Sequence, residues 1–125
     1  MSKIFFEKEL IGFVKKKKGK ALDLASGRGH YSKLLTKFNW KVDSIDINKR
    51  YKSENYKNIN FTKIDIENID YEFFKKKLKF QKYDLILLFR FLHRPLFDLI
   101  PNLLKIRGLF FCETFMIKNG NGKLN

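Results

Sequence analysis

Asp23, Gly27, Gly29 and Asp46 have the residue types and the spacing to hold a charged organic ligand. Asp23 sits inside an apolar run, Ala21-Leu22-Asp23-Leu24, which leads through Ala25 and Ser26 into Gly27-Arg28-Gly29-His30-Tyr31. Glycines at 27 and 29 allow a tight turn without a Cβ in the way, so a ligand can approach main-chain N–H groups where a helix begins. Asp46 closes a second apolar run, Val42-Asp43-Ser44-Ile45-Asp46, 19 residues after Gly27. An acid about 20 residues beyond such a turn, at the end of the next strand, is placed to accept hydrogen bonds from ribose hydroxyls. The two features together point to a nucleotide-containing ligand.

The finer pattern selects among such ligands. A dinucleotide fingerprint has three glycines, the third packing helix against strand, and here that position is Ser32. Asp23, four residues ahead of Gly27, would repel a pyrophosphate. S-adenosylmethionine carries no phosphate; it has a sulfonium and an ammonium group, to which an acid beside the glycine turn is attractive, directly or through a water. The residues therefore suit a zwitterionic amino-acid tail better than a nicotinamide dinucleotide.

With these segments in hand, the chain resembles the class I S-adenosylmethionine-dependent methyltransferases. Leu22-Asp23-Leu24-Ala25-Ser26-Gly27-Arg28-Gly29 matches the family's acid, three residues, Gly-x-Gly, with Ala25 where many members have another glycine. Val42 to Asp46, Phe61 to Ile66, Tyr83 to Phe89 and Leu104 to Phe111 follow in the family's order. Phe91 to Leu96 and Glu113 to Phe115 further resemble a bacterial branch described as methyltransferase-domain or tellurite-resistance-like. The resemblance implies S-adenosylmethionine as cofactor. Asp23 would face the methionine ammonium, Asp46 the ribose and Asp65 the adenine amino group, with Ile66 packed on the adenine ring. Ala25, Gly27, Gly29, Ile47 and Phe89 complete the expected cofactor set.

Acceptor chemistry is expected beyond the fourth strand, at Phe89-Arg90-Phe91-Leu92-His93-Arg94, because ligands of open α/β sheets bind at strand C-terminal ends. Methyl transfer is an in-line displacement that needs alignment above all, and a base only for a protonated acceptor. His93 is the candidate base, against a structural role at a helix start. Arg90 and Arg94 are candidates to clamp an anionic acceptor, or to pair with Glu113, whose strand position implies a buried carboxylate needing a partner. No Asn-Pro-Pro-Tyr type motif follows the fourth strand. His30 and His93 are the only histidines, too few to suggest a metal centre.

The elements that must position these residues alternate as in a doubly wound, Rossmann-like, mostly parallel α/β sheet of about five strands. Phe6, Leu10, Phe13 and Val14 share one face of a leading helix over Ile4 to Lys17. Tyr31, Leu34, Leu35 and Phe38 repeat at i, i+3, i+4, i+7 behind the glycine turn. Asn48 to Asn60 reads as loop with a short helix, and Asp70 to Lys79 as a helix capped by Asp70 with its lysines late. Pro101 splits the segment after Pro95 into two short pieces, and Gly108 stops it before a strand over Leu109 to Thr114.

At 125 residues the chain reads as one domain, residues 1–125. Class I methyltransferases resemble a seven-stranded sheet closed by an antiparallel hairpin beside strand five, which the residues after Phe115 are too few to form. A fragment is the first expectation, then a partner covering strand five, then a non-catalytic domain that binds cofactor or nucleic acid. No apolar run is long enough to cross a membrane, and the charged start, Met1 to Glu9, lacks a secretory signal's apolar stretch, so a cytoplasmic protein is expected. Cys112, the single cysteine, is expected as a core thiol. The net charge of +14 invites an RNA acceptor. However, Lys15 to Lys18 and Lys75 to Lys77 lie at expected helix ends, where they offset the macrodipole, and a small-molecule acceptor is preferred.

Overall fold

The computed structural model describes residues 3–68, 70–89 and 94–113. Helix α1 (Lys3–Lys16) leads into strand β1 (Lys20–Leu24), helix α2 (His30–Thr36) and strand β2 (Lys41–Asp46). Strand β3 (Ile59–Lys63) follows a 3₁₀ turn at Ser53–Asn55, and helix α3 (Tyr71–Lys77) follows another at Ile66–Asn68. Strand β4 (Tyr83–Phe89), helix α4 (Arg94–Leu103) and strand β5 (Leu104–Glu113) complete the order. The five strands form one sheet, β3-β2-β1-β4-β5, and every pairing is parallel. This is the expected doubly wound α/β architecture.

Side-chain parity along the strands divides the core in two. Ala21, Val42, Leu85, Leu87 and Phe89 face α1 and α2, where they meet Leu10, Val14, Leu35 and Trp40. The Trp40 indole donates to the Val14 carbonyl at 3.1 Å and ties the end of α1 to the sheet. Leu22, Leu24, Ile45, Ile86 and Leu88 face the other way, onto Phe74 and Leu78 from the α3 side and Leu96, Leu99, Ile100 and Leu103 of α4. Strand β4 is buried along its whole length, which explains why Tyr-Asp-Leu-Ile-Leu-Leu-Phe shows no alternation: helices cover both of its faces.

Polar groups secure the N-terminal ends of the strands. Tyr83 donates its hydroxyl to Asp43 at 2.5 Å beneath β1, and Lys20 lies 3.7 Å from the same carboxylate. Asp84 accepts the Lys20 N–H at 3.0 Å and pairs with Lys17 and Lys105. Burial opposes ionisation of Asp84, yet these donors and cations hold its carboxyl below the ordinary range.

Asp70 caps α3 as expected, accepting the Phe73 N–H at 3.2 Å, although the helix ends at Lys77 because Lys79 and Phe80 turn left-handed. Two expectations are corrected. The α4 segment is one helix with Pro101 inside it, not two pieces. Proline falls in the last turn, and burial of four apolar side chains at about 1.5–3 kcal/mol each outweighs its cost of about 3 kcal/mol. Gly108 is not a helix stop but an interior residue of β5, which starts at Leu104. The strand shifts register between Tyr83 and Leu85, with Arg107 at φ 69°, and a Cβ on Gly108 would lie 3.0 Å from the Tyr83 carbonyl oxygen. The glycine permits a bulge where the strands approach.

Strand β5 is an edge of the sheet among the described residues, with Ile106 94% exposed and Leu109 41% exposed. Cys112 lies in this strand and is only half-buried, rather than a core thiol; burial still pushes its thiol up, away from reactivity.

Candidate functional site

The turn after β1 is held by its own backbone and by Asp46. The Ser26 N–H donates to the Ile45 carbonyl at 2.8 Å, which locks the turn to the end of β2. Gly27 (φ 57°) donates its N–H to Asp46 Oδ2 at 2.7 Å, and the Asn48 N–H reaches Asp46 Oδ1 at 3.1 Å. Gly29 (φ 77°) donates to the Ser26 carbonyl at 2.9 Å and accepts from the Lys33 N–H at 2.8 Å. The sequence expectation of N–H groups open to a ligand is therefore corrected at Gly27 and Gly29. A carboxylate already occupies the first, where a phosphate would otherwise sit.

Beside this turn, at the C-terminal ends of β1, β2 and β4, lies a cavity of about 640 Å³. That volume suits a cofactor-sized ligand, for which pockets run to about 300–1,000 Å³. Asp23, Ala25, Gly27, Asp46, Ile47, Asp65, Ile66 and Phe89, eight of the nine residues expected around a cofactor, line it. Gly29 does not. Its Cα faces Tyr51 instead, and an added Cβ would lie 2.7 Å from that ring. Ile64 and Tyr31 extend the apolar wall, the Tyr31 ring standing 4.4 Å from that of Phe89, while Arg28 and Arg50 add cations that sequence reasoning did not assign to the site.

Asp23 and Ser44 are register partners on β1 and β2, so their side chains emerge together on the face covered by α2. Ser32 descends between them and donates to Asp23 Oδ2 at 2.6 Å, with Ser44 Oγ 3.1 Å away. Burial pushes the Asp23 carboxyl up to about 7, against the lowering effect of Ser32 and with a small further rise from the Asp46 charge. Ser32, noticed in the sequence only as a departure from a glycine pattern, is a wholly buried polar clamp. Its signal was the pairing of a helix serine with a strand acid, visible only once β2 supplies Ser44.

Asp65 accepts the Glu67 N–H at 3.1 Å and the Asn68 amide at 2.9 Å, so it shapes its loop as well as lining the cavity. His30, also on the cavity wall, lies 2.7 Å from Glu7 and links α1 to α2. The candidate acceptor residues Arg90 and His93 lie outside the described residues, as do the side chains of Arg94 and Glu113. Among the described residues no group of metal-ligating side chains forms a cluster, and no helix is long and apolar enough to cross a membrane.

A parallel sheet in this order, with helices on both faces, is a Rossmann-like fold of the kind class I methyltransferases share with dinucleotide-binding proteins, here with a carboxylate-rich cavity at the strand ends. Solved structures share it. A protein from Pyrococcus horikoshii is 27% identical with a TM-score of 0.64, aligned over 87% of this chain and 54% of that one. An Agrobacterium tumefaciens protein named as a SAM-dependent methyltransferase is 19% identical with a TM-score of 0.72, over 93% and 45%. Coclaurine N-methyltransferase bound to N-methylheliamine and SAH is 20% identical with a TM-score of 0.66, over 86% and 34%. The chain thus spans about half the length of these structures, or less. No curated protein matches it in sequence. The family described as Tellurite resistance protein TehB matches residues 6–107, and the chain belongs to that family.

Proposed function

We propose that this chain binds S-adenosylmethionine in the cavity beside the glycine turn and serves a methyltransferase. The observation that carries the reading is the occupant of the Gly27 N–H. Asp46 holds it at 2.7 Å, and Asp23 stands on the same cavity wall, so a pyrophosphate would meet two carboxylates where it needs donors. A ligand with an ammonium group and free ribose hydroxyls meets favourable partners in both. Ser26, a residue of the cavity wall, has in its Oγ the single buried side-chain polar atom without a hydrogen-bond partner among the described residues.

In this reading Asp23 attracts the ammonium, Asp46 accepts from the ribose, and Ile47, Ile66 and Phe89 flank the adenine, with Asp65 near its amino group. The bound cofactor would supply an electrophilic methyl group on sulfur. The chain's own part is to orient that group and to exclude water from it, through the apolar wall of Tyr31, Ile64 and Phe89. A small-molecule acceptor is favoured over RNA because lysines close α1 and α3, where they act on the helix ends.

Calorimetric titration with S-adenosylmethionine and S-adenosylhomocysteine, with NAD as control, tests the proposal. Selective binding is expected, weakened by about 1–3 kcal/mol in Asp46→Ala through loss of charge-assisted partners. Equal or tighter binding of NAD would overturn it.

A further inference from the structure

A line of hydroxyls connects the cavity floor to an aromatic residue outside it. Tyr51 donates to Ser44 Oγ at 2.7 Å, Ser44 and Ser32 lie 3.1 Å apart, and Ser32 reaches Asp23 at 2.6 Å. Each hydroxyl has one proton. With the Ser32 proton committed to Asp23, Ser44 must donate to Ser32, and the Tyr51 proton fills the acceptor position of Ser44. This arrangement points every donor toward Asp23 while its carboxylate is ionised.

The far end of this line is held as firmly as the near end. The Tyr51 ring covers Gly29 at a distance that leaves no room for a Cβ, meets Phe61 edge-on at 6.1 Å between centroids, and carries the Lys33 ammonium 5.1 Å from its centre. Tyr51 thus joins the glycine turn, α2 and the β2 to β3 connection, and its hydroxyl terminates in the acid of β1. Directed hydrogen-bond chains in a poorly solvated interior strengthen one another, which makes the carboxylate at the end more than the sum of its contacts.

We propose that Tyr51, acting through Ser44 and Ser32, is a positioning residue for Asp23, fixing its carboxylate toward the cofactor's ammonium group and favouring the ionised form that binds it. The inference rests on the cofactor reading above and adds to it three residues that do not touch the ligand's reacting atoms. Ser44 and Tyr51 stand outside the glycine motif, in which Ser32 figures only as a departure. Other groups act on Asp23 too: Asp46 from β2 opposes its ionisation, and Tyr51 itself is pushed up chiefly by burial. Arg28, His30, Arg50, Asp65 and Glu67 line the same cavity, whereas β4 places Leu87 and Leu88 next to Asp23 and Leu24.

The test is calorimetric titration of S-adenosylhomocysteine into wild type, Ser32→Ala and Tyr51→Phe between pH 6.5 and 8.5, each variant compared with wild type at the same pH so that the ligand's own titration cancels. Tyr51→Phe keeps the ring over Gly29 and removes only the hydroxyl, so it remains informative if Ser32→Ala fails to fold. Ser32→Ala is expected to bind about tenfold more weakly than wild type at pH 6.5 and nearly as well at pH 8.5. Tyr51→Phe should change in the same direction by about threefold. Affinities equal to wild type throughout, or lowered by one constant factor at every pH, would overturn the inference and leave these hydroxyls a packing role. Failure of the folded wild type to bind at any pH would overturn the cofactor reading itself, a distinct result.

Discussion

Ala25 carries a side chain through φ 55°, a backbone conformation that L-residues avoid at a cost of about 1–2 kcal/mol. Gly29, four residues on, takes φ 77° without that cost and has Tyr51 where a Cβ would go. The two positions should therefore respond with opposite signs. Ala25→Gly relieves strain but loosens the unfolded chain by about 0.4–1 kcal/mol, so the urea midpoint should hold or rise slightly. Gly29→Ala combines the strain with displacement of a packed ring, and a loss of more than about 2 kcal/mol is expected by urea denaturation. Residue types and spacing were enough to group Asp23, Gly27 and Asp46, which line one cavity, because a strand acid, a glycine turn and a second strand acid recur at a separation set by the strand-turn-helix-strand unit. They did not reveal that Gly29 serves Tyr51 rather than the cavity. That contact joins residues brought together by a loop, and no periodicity announces it.

Among the elements, β5 is the one whose environment departs most from its composition. Ile106 is exposed and Leu109 partly so, while Phe110 and Phe111 on the same strand are partly buried against the two core clusters. An apolar edge strand invites pairing with another chain, and a charge on it blocks such pairing. Ile106→Lys is expected to leave the unfolding midpoint within about 0.5 kcal/mol, as surface changes do. It should also lower any concentration-dependent self-association measured by sedimentation velocity; an unchanged association would mean that the edge is not its source. The order of elements was legible from alternating apolar runs and helix-spaced side chains. The path from α4 to β5 was not. Proline and glycine are read locally as breaks, whereas here buried side chains carry the helix through Pro101 and strand contacts carry β5 through Gly108.

For the molecule as a whole, two buried acids set opposite responses to pH. The ligand-free folded state holds the Asp23 proton up to about 7, whereas the unfolded chain releases it near 3.8, so the folded state binds more protons between those values. The Asp23 contribution to stability is therefore complete below pH 4 and lost as pH rises toward 7, a fall on the order of a few kcal/mol. Asp84, lowered by its donors and lysines, contributes in the other sense: its share is present above about pH 4 and is lost as pH falls through its depressed folded value. Urea titrations from pH 4.5 to 7.5 should show declining stability in wild type and a flatter profile in Asp23→Asn. Equal slopes in the two proteins would show that Asp23 ionises normally in the folded state.

The strand order β3-β2-β1-β4-β5 also governs how the chain can assemble over time. As a nascent chain leaves a ribosome, β1 can pair with β2 and β2 then with β3, each the next strand in sequence. Its other side must wait for β4, whose Asp84 meets Lys20 across a separation of 64 residues. Until that segment emerges, the strand bearing Asp23 has one naked flank, and the cavity it borders lacks Phe89. Long-range parallel pairing of this kind is intrinsically slow and leaves apolar surface uncovered meanwhile. Completion of the cavity thus comes late in synthesis, gated by arrival of the second neighbour of β1 rather than by completion of the glycine turn.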